Sequence, residues 1–72
     1  MARWKELERY CYNDGWECYK ENDHIYFRKK LPDGTILRTK VSRGSGEIPN
    51  GLFKNILSKQ LRITKEEFNS KI

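Results

Sequence analysis

One imidazole stands in this chain. His24 lies in YKENDHIYFRKKLPDG (Tyr19 to Gly34), between a short acidic stretch and a run of cations. An imidazole titrates near neutrality, so it can take a proton and later return it. RNA carries its own nucleophile, the 2′-hydroxyl. A base that removes the hydroxyl proton lets that oxygen attack the adjacent phosphorus, and nearby cations stabilise the charge that builds on the phosphoryl oxygens. Such a reaction asks for a base, a few cations and a surface that splays the strand. It requires no metal and no cofactor. His24 as base, Arg28, Arg38 and Lys40 as cations, and Tyr26 to stack a base or donate a proton would supply it. The competing reading of His24 is a surface histidine at a strand start, with no chemistry.

The remaining reactive side chains form no comparable set. Glu17, Glu21, Asp23 and Glu47 show neither the paired carboxylates of glycosidases nor the spacing of a metal loop. Two cysteines and one histidine cannot fill a four-ligand structural zinc site, so no metal is expected. Cys11 and Cys18 sit among apolar and aromatic neighbours and are expected as buried thiols, which suits a reducing cytoplasm. Gly44-Ser45-Gly46 and Pro49-Asn50-Gly51 can cradle a phosphate at a helix start, or can simply connect two elements. They lack the lysine-bearing phosphate-loop pattern.

Charge narrows the partner. The chain has 72 residues, with 15 Lys plus Arg against 10 Asp plus Glu, a net charge of +5. Between Arg28 and Arg43 lie Arg28, Lys29, Lys30, Arg38, Lys40 and Arg43 with Asp33 as the only acid, so this segment carries a charge equal to the net. Such concentration favours a polyanion, with nucleic acid first, and brings Lys29, Lys30 and Arg43 into the set of expected RNA contacts. A solvated basic face is the alternative. The start, MARWKELERY, has no apolar signal region, and no apolar run approaches membrane-spanning length. A cytoplasmic protein with no membrane partner is expected.

Residues 1–72 read as one domain. RWKELERYCYNDG has Trp4, Leu7 and Cys11 at helical spacing with Tyr10 beside them, and Gly15 can end that helix in a left-handed turn with Trp16 folding back over it. WECYK follows as a short strand with Trp16 and Cys18 on one side. DHIYFRKK and TILRTKV are two further strands, joined by LPDG, in which Pro32 sets φ and Asp33-Gly34 turns the chain. Alternation puts Ile25 and Phe27 on one face with Leu37, Thr39 and Val41. His24, Tyr26, Arg28, Ile36, Arg38 and Lys40 then share the other, unless a bulge breaks the register. LFKNILSKQL is an amphipathic helix with Leu52, Phe53, Ile56, Leu57 and Leu61 inward. A last helical turn follows, capped by Thr64 with Glu67 and docked by Phe68. The expected architecture is α+β, in the order α-β-β-β-α: a three-stranded antiparallel sheet with helices on one face.

These pieces in this order resemble the HicA family, small toxins of bacterial toxin–antitoxin systems with a double-stranded-RNA-binding-domain-like fold. The matching segments are DGW at Asp14–Trp16, NDHIYF at Asn22–Phe27, PDG at Pro32–Gly34, VSRGSGEIPNGLFKNILSKQLRIT at Val41–Thr64 and EEF at Glu66–Phe68, nearly the whole chain. The resemblance implies an endoribonuclease that cleaves mRNA, with His24 as the catalytic histidine, silenced by a cognate antitoxin protein. Asn22-Asp23 replaces the family's Gly-Ser before the histidine, and Gly44 stands where many relatives place a second histidine. The helix start PNGLFKN offers only Lys54, unlike the lysine cluster of duplex-RNA binders, so single-stranded RNA is expected over duplex.

Overall fold

Helix α1 (Trp4–Asn13) begins where Glu6 Oε1 accepts the Arg3 backbone N–H at 2.9 Å, satisfying a donor that the first turn leaves free. It ends as the glycine predicts. Gly15 has φ +82°, the Trp16 N–H donates to the Cys11 carbonyl at 2.8 Å and the Gly15 N–H to that of Tyr12 at 3.3 Å. These two bonds satisfy carbonyls of the last turn and send Trp16 back against it. Leu7, Tyr10 and Cys11 form the buried stripe of the helix, and Trp16 joins them in the core. The computed structural model describes residues 2–44 and 46–72.

Three strands follow: β1 (Glu17–Glu21), β2 (His24–Lys30) and β3 (Ile36–Ser42), antiparallel in the order β1-β2-β3. The β2–β3 hairpin is closed by a turn at Leu31–Gly34. Gly34 is left-handed (φ +94°) and donates to the Leu31 carbonyl, and Asp33 Oδ1 accepts the Thr35 N–H at 2.9 Å. This turn sets an unbroken register in which His24 faces Ser42, Tyr26 faces Lys40, Arg28 faces Arg38 and Lys30 faces Ile36. Ile25, Phe27, Leu37, Thr39 and Val41 are buried on the opposite face. The bulge falls in β1 instead, where the pairing jumps from Cys18 with Phe27 to Lys20 with Tyr26.

Helix α2 (Asn50–Asn55) runs into a π-helical segment, Ile56–Leu61, and α3 (Lys65–Ser70) follows. Together with α1 they cover the apolar face of the sheet, giving the expected α+β order with helices on one side. Phe53, Ile56, Leu57 and Leu61 are buried as expected, but Leu52 is 40% exposed. One residue turns a helix by about 100°, so with Phe53 pointing into the core Leu52 is carried to its edge. Gln60 shares the spacing of the buried stripe, and its Oε1 accepts from the buried Thr39 hydroxyl at 2.7 Å. Thr64 Oγ1 accepts the Glu67 N–H and starts α3, whose Phe68 stacks on Tyr10 at 5.3 Å and meets Phe53 edge-on at 5.1 Å.

The C-terminal part of the loop between β3 and α2 is tied to the segment that leads into α1. Ile48 is fully buried and donates to the Ala2 carbonyl, and Trp4 donates to the Gly46 carbonyl. Ser45, the middle residue of the candidate phosphate cradle, lies outside the described residues. The π-helical segment ends at Arg62, the one non-glycine with positive φ among the described residues (φ 55°, ψ 48°). An L-residue there is strained. Arg62→Gly is expected to stabilise the fold by about 1 kcal/mol, read as a higher urea midpoint with an unchanged slope.

Candidate nucleic-acid interface on the open sheet face

Among the described residues, no element covers the face of the sheet away from the helices. His24 and Tyr26 are half-buried there, while Arg28, Lys30, Arg38 and Lys40 are exposed. Their common placement follows from two things: strand alternation, and a hairpin turn that keeps β2 and β3 in step. The His24 and Tyr26 rings are 6.2 Å apart, tilted by 57°. The turn before His24 is built by Asn22, whose N–H donates to the His24 carbonyl at 3.0 Å and whose side-chain oxygen accepts the His24 N–H at 3.4 Å. Asn22 thus holds the backbone of His24. Asp23 is exposed and forms no ion pair with the imidazole.

The cations divide into engaged and free. Arg28 Nε meets Glu17 Oε1 across the β1–β2 pair at 2.6 Å, and Arg43 bonds Glu21 at the His24 end of the sheet. Both pairs are open to water and contribute little to stability. Lys30, Arg38 and Lys40 have no acidic partner among the described residues. Arg28 and Arg38 are direct cross-strand neighbours, an arrangement of like charges that costs stability and that a bound polyanion would relieve.

Lys29 belongs to a different environment. Its odd position turns it toward the helical side, where Nζ bonds Asp14 Oδ2 at 2.7 Å. The same carboxylate accepts from Trp16 Nε1 (3.1 Å), the Tyr10 hydroxyl (3.2 Å) and Lys71 Nζ (2.8 Å). Lys29 therefore anchors the sheet to α1 and to the C-terminal segment and does not stand with the open-face cations.

Two residues that the sequence reading left out of the site lie on it. The β1 bulge sets Tyr19 and Lys20 together against Tyr26, with the Tyr19 ring 6.1 Å from that of Tyr26 and Lys20 Nζ 5.5 Å from its centroid. Arg28 lies over the Tyr19 ring at 5.1 Å. Alternation from the inward Cys18 was a signal for Tyr19. Nothing local marked Lys20, because only the bulge turns it outward.

A depression of about 380 Å³ lies at the hairpin end of the face, lined by Glu17, Arg28, Lys30 and Ile36 with Gly15 and Lys29. His24 stands at the opposite end of β2. Burial pushes the Cys11 thiol up to about 12, with the Asp14 and Glu8 charges adding, so it stays protonated and unreactive. Cys18, expected as a second buried thiol, is half-buried. Among the described residues no three His, Cys, Asp or Glu side chains gather as a ligand set, and no helix is long and apolar enough to cross a membrane. Comparisons with protein-family models, curated proteins and solved structures find no match to this chain.

Proposed function

We propose that this protein is a HicA-like RNA-binding domain that cleaves single-stranded mRNA without a metal, His24 serving as general base on the 2′-hydroxyl. One observation carries the reading. A sheet face that no described element covers holds the sole imidazole beside Tyr26, with Arg38, Lys40 and Lys30 on the same surface and without acidic partners among the described residues. The imidazole supplies the base, the unpaired cations meet the phosphates, and the tyrosine offers a ring for a splayed base. On this reading the protein acts in the cytoplasm, and a cognate antitoxin with an acidic surface silences it by covering the same face.

A chimeric oligonucleotide tests the chemistry. RNA carrying a single 2′-deoxy nucleotide at the scissile position should resist cleavage, while the all-ribose strand is cut at an equal rate with and without EDTA. Equal cutting of both strands would rule out attack by the 2′-hydroxyl, and loss of cutting in EDTA would rule out the metal-free mechanism. A purely binding role would leave both strands intact but bound, with affinity that falls as salt rises.

A further inference from the structure

The strongest unassigned feature is the pair of rings that the β1 bulge creates. Cross-strand tyrosines often do no more than stabilise a sheet. Here they do so on a face over which no element packs among the described residues. Tyr19 is 39% exposed, and neither the Tyr19 nor the Tyr26 hydroxyl has a hydrogen-bond partner among the described residues. Each ring also carries a cation, Arg28 over Tyr19 and Lys20 over Tyr26. Without the bulge, regular alternation would send Lys20 to the helical side.

We propose that Tyr19 and Tyr26 form a two-ring stacking platform that receives neighbouring unpaired bases of single-stranded RNA and delivers the strand to His24; the incoming bases displace Arg28 and Lys20 from the ring faces, and these cations, Arg28 leaving its water-exposed pair with Glu17, meet the flanking phosphates. This rests on the RNA-binding reading above and names the groups that select single strands. The rings are 6.1 Å apart, whereas stacked bases rise by about 3.4 Å. Two bases cannot remain stacked on each other and occupy both rings. The strand must unstack as it binds, which a duplex resists. Base stacking on aromatic rings tolerates any sequence, so the platform confers strand-state selectivity rather than sequence preference. The next ring along, His24, lies 6.2 Å from Tyr26, so the unstacked strand reaches the base directly.

The test measures affinity for an unmodified single-stranded RNA of about ten nucleotides, kept intact by the His24→Ala replacement. Tyr19→Leu in that background should weaken binding about tenfold or more without changing the slope of affinity against salt, and Tyr19→Phe should bind like the parent. On an abasic strand of the same length Tyr19→Leu should make no difference. Circular dichroism confirms that each variant is folded. Parent-like RNA binding by folded Tyr19→Leu, or an equal loss on the abasic strand, overturns the platform while leaving the RNA-binding reading standing. Absence of any salt-dependent RNA affinity in the parent overturns both.

Discussion

Replacing His24 by alanine is expected to lower the rate of RNA cleavage by about 10²- to 10⁴-fold, the range that a positioned general base contributes. RNA affinity should stay within a few-fold of wild type, because the unpaired cations Lys30, Arg38 and Lys40 remain on the face. Stability should change little. His24 sits at the start of β2 and makes no side-chain hydrogen bond among the described residues, so its ring is not part of the core. The check is single-turnover cleavage alongside growth and mRNA integrity on expression of the two proteins. Wild-type cleavage by a folded His24→Ala protein would remove the imidazole from the mechanism. Asn22→Gly offers a milder comparison. It keeps His24 but deletes the side-chain oxygen that accepts the His24 N–H, so it should slow cleavage by less.

The second large effect concerns stability. Asp14→Ala is expected to destabilise the fold by about 3 kcal/mol or more, which in a domain of this size lowers Tm by about 15 °C. Four donors converge on this carboxylate, from α1 itself, from Trp16, from β2 and from the C-terminal segment. Its removal strands the Lys29 ammonium, the Trp16 indole N–H and the Tyr10 hydroxyl against a largely buried surface. Asp14→Asn retains an acceptor and should fall between wild type and alanine.

The pH dependence carries the same signature. Burial by itself would raise the Asp14 carboxyl. The hydrogen bonds from Lys29, Lys71 and Trp16 and the Lys29 charge outweigh it and hold the group down at about 2, against an ordinary 3.8. A folded value below the unfolded one means that the unfolded chain binds the proton first. The stabilisation is therefore complete above about pH 4 and is lost as pH falls toward 2, an amount of roughly 2 kcal/mol. Urea midpoints measured from pH 5 to pH 2 should fall steeply for wild type and more gently for Asp14→Asn. Parallel curves would show that the carboxylate does not act as the hub.

Much of the fold was legible because its signals are local. Trp4, Leu7 and Cys11 announce α1 by spacing, Gly15 ends it, and Leu31-Pro32-Asp33-Gly34 turns the hairpin. With that turn in place, alternation alone puts His24, Tyr26, Arg28, Arg38 and Lys40 on one surface. Strand parity is a property of the backbone, so it survives any packing that leaves the register intact. Helix periodicity was less complete: it marked Phe53, Ile56 and Leu57 but counted Leu52 inward, because the angle at which α2 meets the sheet is set by the core beneath it.

What the chain alone determined, then, is the membership of the open face along β2 and β3. Tertiary structure decided which of its cations are free and which rings join it. Lys29 looked like its neighbours Arg28 and Lys30, yet it is spent on Asp14, 15 residues away, at a hub that also draws in Lys71 from 57 residues away. Tyr19 and Lys20 stand together because one residue too many was fitted into β1 against Tyr26. Ion pairs and bulges depend on which distant groups the folded core brings within a few ångströms of each other, and composition and periodicity do not encode that distance.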